Sequence, residues 1–132
     1  MRDVFPVETW IELLKRFVRY TESGSVEWSE LEGNRGDYVA NTDQKLWMNV
    51  WSKDRDDAGP YCAAVGRYGQ EDAIDTTESF ITPRTAEQAV HDELLIQLFA
   101  LAKGDSAGVQ RLTREVFDIL DEFDKGSQNA PF

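Results

Sequence analysis

The stretch Lys45-Leu46-Trp47-Met48-Asn49-Val50-Trp51-Ser52 decides the fold. Leu46, Met48 and Val50 alternate with Trp47, Asn49 and Trp51, which is the two-residue period of a β-strand. Both faces carry large apolar side chains, so both need cover. Helices would cover one face. A partner subunit is expected on the other, with Trp47 and Trp51 as anchors, because aromatic side chains dominate interfaces.

Reading outward, Tyr61–Tyr68 is the return strand, with Gly66 allowing a bend. Its small residues Cys62, Ala63 and Ala64 leave room for Trp47 or Trp51. The connection at 54–60 is too short for a helical crossover, so the pairing is antiparallel. Tyr38–Asn41 is a weaker first strand, after a turn cluster at Gly33, Asn34, Arg35, Gly36 and Asp37. Residues 69–84 open on a turn, and Ile74, Phe80 and Ile81 stand as apolar islands in a polar segment. It reads as a loop or a fourth, edge strand.

Helices flank this meander. Val7, Trp10, Ile11, Leu13, Leu14, Phe17 and Val18 share one broad face over 7–22. Glu8 and Glu12 sit near the positive end of that helix, and Arg16 and Arg19 near the negative end. Gly24 is placed to end it in the left-handed conformation. The connector at 25–36 holds one large apolar residue, Trp28, as a short strand or a lid over the core. Thr85 starts the next helix with Gln88 as its capping partner. Its stripe runs from Ala89 and Val90 through Leu94, Leu95, Leu98 and Phe99 to Ala102, and Lys103-Gly104 is expected to end it. Asp105 or Ser106 would cap the last helix, which runs to about Lys125 with an apolar stripe at Val109, Leu112, Val116, Phe117, Leu120 and Phe123.

The expectation is therefore one α+β domain over residues 1–126: an N-terminal helix, a three-stranded antiparallel meander that a fourth strand could extend, and a C-terminal helical pair. Residues 127–132 would be a frayed tail. A single domain suits 132 residues, which can bury a core without disulfides or metal.

The segments Thr21-Glu22-Ser23-Gly24-Ser25-Val26-Glu27-Trp28, Leu98-Phe99-Ala100-Leu101-Ala102 and Val116-Phe117-Asp118-Ile119-Leu120 resemble small uncharacterised bacterial proteins of α-β-β-β-α layout. They cover 18 of the 132 residues, and the acidic loop at 70–84 departs from the pattern. The resemblance implies a fold and a bacterial cytosolic setting. It implies no activity.

Net charge is −11, from 14 basic and 25 acidic residues. Nucleic acid is therefore a poor partner, since binding it depends on cations displacing counterions from phosphates. Anionic membrane surfaces are disfavoured on the same ground. No apolar run approaches a membrane span, and early acidic residues break any signal-peptide core. The lone Cys62 precludes an intrachain disulfide and suits a reducing cytoplasm. The acidic excess lies in the loops and C-terminal helices, since residues 1–22 are neutral and residues 85–132 carry four basic and nine acidic residues.

Candidate chemistry is sparse. His91 is the only histidine. Its sequence neighbours Asp92 and Glu93 point about 100° apart on a helix, so Glu87, four residues before, is its better geometric partner. Cys62 lacks an electropositive neighbour and reads as inert. Asp54–Gly59 echoes a calcium loop but places Ala58 and Val65 where oxygen ligands belong. Glu71, Asp72, Asp75 and Glu78 read as a solvated cluster, and no phosphate-binding glycine loop occurs. No cofactor or metal is expected.

These readings favour a non-enzymatic interaction or regulatory module, a homodimer or a binder of another protein, contacting through Trp47, Trp51, Phe117 and Phe123. The alternatives are a ligand binder or enzyme with a Trp-lined pocket around His91, Glu87 and Trp28, and an acidic mimic of nucleic acid that binds a basic protein.

Overall fold

The computed structural model describes residues 5–31, 36–54, 56 and 58–128, with the backbone alone at 109–111 and 127–128. Gly33, Asn34 and Arg35 of the expected turn cluster, Arg55 and Asp57 of the calcium-like loop, and the end of the tail lie outside the described residues.

The chain runs α1 (Val7–Ser23), β1 (Ser29–Glu30), β2 (Asp37–Thr42), β3 (Leu46–Ser52), β4 (Tyr61–Arg67), β5 (Ala73–Glu78), α2 (Ala86–Ser106) and α3 (Val109–Gln128). The strands form one antiparallel meander in the order β1-β2-β3-β4-β5. The α+β class holds, but the sheet has five strands where three or four were expected. One addition is the two-residue β1 beside Trp28. The other is β5, inside the polar segment at 69–84.

The periodicity reading left β5 open between a loop and an edge strand for a physical reason. Its inward residues are Asp75 and Thr77, and each meets a polar partner inside. Trp10 donates its indole N–H to Asp75 Oδ2 at 2.7 Å, and Thr77 Oγ1 lies 2.9 Å from His91 Nε2. A strand whose inward positions are hydrogen-bonded needs no apolar alternation.

The register puts Tyr38, Ala40, Met48, Val50, Ala63 and Val65 on the inner face. They join Trp10, Leu14, Phe17 and Val18 of α1, and Leu95, Leu98, Phe99 and Ala102 of α2, in one buried cluster with Val26 and Trp28. α1 and α2 thus pack side by side on a single face of the sheet. α1 ends at Gly24, whose φ of +78° suits glycine, and the amides of Ser25 and Val26 turn back to Tyr20 O.

α2 begins as read: Gln88 N–H donates to Thr85 Oγ1 at 3.1 Å. It does not end at Lys103-Gly104. It continues to Ser106, because Asp105 turns inward and accepts the backbone N–H of Trp28 at 2.7 Å. Asp105 therefore ties the connector to α2 and caps no helix. The break comes at Gly108, whose φ is +81°.

Candidate interaction surface

α3 holds 20 residues, a rod about 30 Å long. Residues three and four apart share a face, so Leu112, Val116, Ile119, Leu120 and Phe123 line one side, with Phe117 at its margin. All six are exposed, from 48% at Leu120 to 69% at Phe123. Most helical stability in proteins comes from burying such a face. Here α3 meets the rest of the chain near its start, where the Arg114 guanidinium crowds Gly24 at the C-terminal end of α1.

The margins of the stripe are acidic. Glu115 lies four residues before Ile119, and Glu122 three after it. On the other side Asp121 and Asp124 stand four residues after Phe117 and Leu120. All four carboxylates are exposed. The described cations of α3 are Arg114, held against α1, and Lys125 on the opposite side from the stripe.

The structure brings Phe117 and Phe123 onto this face. Trp47 and Trp51 lie elsewhere, on the outer face of the sheet, and both are half-buried. Trp47 packs across Gly66, its register partner; a Cβ there would fall 2.2 Å from the indole. The room the indole needs thus comes from Gly66, while Ala63 faces inward. Trp47 Nε1–H donates to Gln70 O at 2.9 Å, and the ring borders an open groove of ≈ 480 Å³ with Val39, Asn49, Leu31 and Tyr68.

His91, Glu87 and Trp28 are not gathered into one pocket. His91 and Trp28 sit near opposite ends of α2: Trp28 is bonded to Asp105, fourteen residues beyond His91 and thus about 21 Å along the helix. The His91 side chain is fully buried. Its Nδ1 lies 2.8 Å from Asp92 Oδ1, and a carboxylate accepts, so Nδ1 carries the proton. In the neutral imidazole Nε2 accepts from the Thr77 hydroxyl. Asp92 also accepts the Phe80 N–H, and the Phe80 ring meets the imidazole edge-on at 5.3 Å. This hydroxyl–imidazole–carboxylate chain has the connectivity of a hydrolase triad. With His91 and Asp92 buried and Thr77 half-buried, it ties the start of α2 to the edge strand β5.

Glu87 faces Glu8 across the starts of α2 and α1. A hydrogen bond with Glu8, then repulsion from it, raises the Glu87 pKa above the usual carboxylate range. A raised folded pKa means that the pair helps stability below the unfolded value and that this help is lost as pH rises through the folded one. Glu87→Gln is therefore expected to raise the melting temperature at neutral pH, with the gain vanishing below about pH 4. Scanning calorimetry across that range checks it.

Cys62 is buried on the outer face, opposite Trp51. Burial, with Glu78 nearby, pushes its thiol up to about 11. Alkylation by iodoacetamide at pH 8 should run on the order of 100-fold slower than for a free thiol, because the thiolate is the nucleophile. Labelling followed by mass spectrometry tests this.

The acidic cluster is dispersed. Asp75 points inward to Trp10, Glu78 pairs with Lys53 at 3.2 Å on the outer side, and Glu71 and Asp72 are exposed in the turn before β5. Among the described residues, no three His, Cys, Asp or Glu side chains converge to hold a metal, and no helix is long and apolar enough to cross a membrane. No protein-family model, curated protein or solved structure matches this chain.

Proposed function

We propose that this chain is a protein-interaction module whose docking element is α3. One observation carries the reading: six large apolar side chains on a single helix face stand at least 48% exposed, while the core beneath α1 and α2 is complete without them. Helix-in-groove recognition uses such anchors at three- and four-residue spacing. Burying them would remove roughly 600–700 Å² from water on this side, close to the ~800 Å² per partner of a standard interface. The burial of His91 weighs against the enzyme reading, because a general base must reach a substrate proton.

The double variant Val116→Glu/Leu120→Glu tests the module. In extract from cells making the chain, the native protein is expected to elute within a larger assembly and the variant as the free chain. Their melting temperatures should agree within a few degrees, since neither side chain belongs to the core. If the two elute alike, α3 is not the docking element.

A further inference from the structure

Resting on the reading of α3 as a docking element, we infer that its partner is a different, helical protein whose apolar groove is bordered by Lys and Arg. The stripe carries carboxylates on both margins: Glu115 and Glu122 beside Ile119, and Asp121 and Asp124 beside Phe117 and Leu120. Interface rims are where charge steers association and selects partners. A rim whose described charges are of one sign calls for the other sign opposite it.

A second copy of the chain fits less well. In a two-fold antiparallel pairing centred on the stripe, Glu115 of each copy falls within a turn of Glu122 of the other. Like charges so placed destabilise the pair. A parallel pairing would align the helix dipoles and set acidic rim beside acidic rim. Either pairing would also join two chains of net charge −11. A membrane surface fits less well again, because interfacial helices carry Lys and Arg beside their apolar face.

The width of the apolar face sets the shape of the partner. From Ile119 round to Leu120 the unbroken apolar arc spans about 100°, with Phe117 beyond Asp124 at its edge, and this is wider than a strict two-helix seam. Such a face seats in a groove between two helices. Nucleic-acid mimicry would act through charge alone and leave these six side chains unused.

The probes are two designed helical hairpins with the same Leu-lined groove, one bordered by Lys and its twin by Glu. Each is labelled and titrated with the full chain, read by fluorescence anisotropy. The Lys-bordered hairpin is expected to bind, and to weaken about ten-fold between about 0.05 M and about 0.3 M salt, because rim charges are screened. Leu112→Asp/Leu120→Asp should abolish that binding with the melting temperature unchanged. Equal binding of both hairpins, or binding insensitive to salt, would overturn the basic rim.

Sedimentation equilibrium and vesicle flotation separate failure of this inference from failure of the docking role. A micromolar dimer that Leu112→Asp/Leu120→Asp converts to monomer would overturn the different partner in favour of a second copy, and leave α3 a docking element. Flotation with zwitterionic phosphatidylcholine vesicles, lost in the same variant, would overturn it in favour of a lipid surface. A monomer that binds neither hairpin nor vesicles would overturn it, and would take the docking role with it if the Val116→Glu/Leu120→Glu variant also elutes like the native chain.

Discussion

Trp28→Ala is expected to destabilise the fold by about 3–5 kcal/mol, the range for truncating a buried aromatic. Trp28 is 1% exposed although it lies in the connector between α1 and β1. Its ring meets Phe17 edge-on at 6.3 Å, and its Nε1–H donates to Thr21 Oγ1 at 2.8 Å. Its backbone N–H donates to Asp105 near the end of α2. One residue therefore joins the end of α1, the first strand and the end of α2. Truncation opens a cavity among all three and leaves the Thr21 hydroxyl with its bond to Phe17 O alone. Against a total stability of about 5–15 kcal/mol, that loss is a large share. The melting temperature should fall by roughly 10–20 °C. Urea titration followed by far-ultraviolet circular dichroism measures the difference. Trp28→Phe keeps the ring packing and removes the donor, so its cost should be nearer 1–2 kcal/mol. Equal costs for the two variants would show that the hydrogen bond, and not the ring, carries the energy.

How much of this was legible in the sequence follows from what each side chain meets. β3 was legible because Met48 and Val50 point into an apolar core and their neighbours do not. α1 and α3 were legible because their apolar residues recur at helical spacing. β5 was left undecided between loop and edge strand, since Asp75 and Thr77 point inward to Trp10 and His91, and periodicity reads only apolar burial. Trp28 could be placed in the core or above it, because a lone aromatic between breakers has no period. The end of α2 was misplaced because Asp105 looks like a cap residue when its long-range partner, the Trp28 amide, is unseen.

The proposed interaction face was half legible. Phe117 and Phe123 stood out as apolar, and the structure adds that the body of the chain leaves them uncovered. Sequence pattern cannot show this, since the same stripe would appear on a helix folded back against α2. Trp47 and Trp51 stood out equally. The structure puts them on another surface, where Gly66 gives Trp47 a seat within its own sheet. The signal for that seat was present: Gly66 interrupts an otherwise small, buried strand, and a glycine inside a strand often marks the close approach of another group.

His91→Ala is expected to cost about 2–4 kcal/mol, from a cavity in the core and from polar groups left without their partner. Asp92 would keep the Phe80 amide and lose the imidazole N–H, and the Thr77 hydroxyl would lose its acceptor. The start of α2 would then be held to β5 by fewer bonds, so amide exchange should rise first in β5 and the first turns of α2. The enzyme reading anticipates the opposite pattern, lost turnover at unchanged stability. Thr77→Val separates the two roles further. It keeps the shape and removes the hydroxyl, so its effect should overlap with that of His91→Ala. The double variant should therefore cost less than the sum of the singles, by about 0.5–3 kcal/mol as for residues in contact. Additive costs would mean that the hydroxyl and the imidazole act independently, and the chain from Thr77 through His91 to Asp92 would not be the link between helix and edge strand.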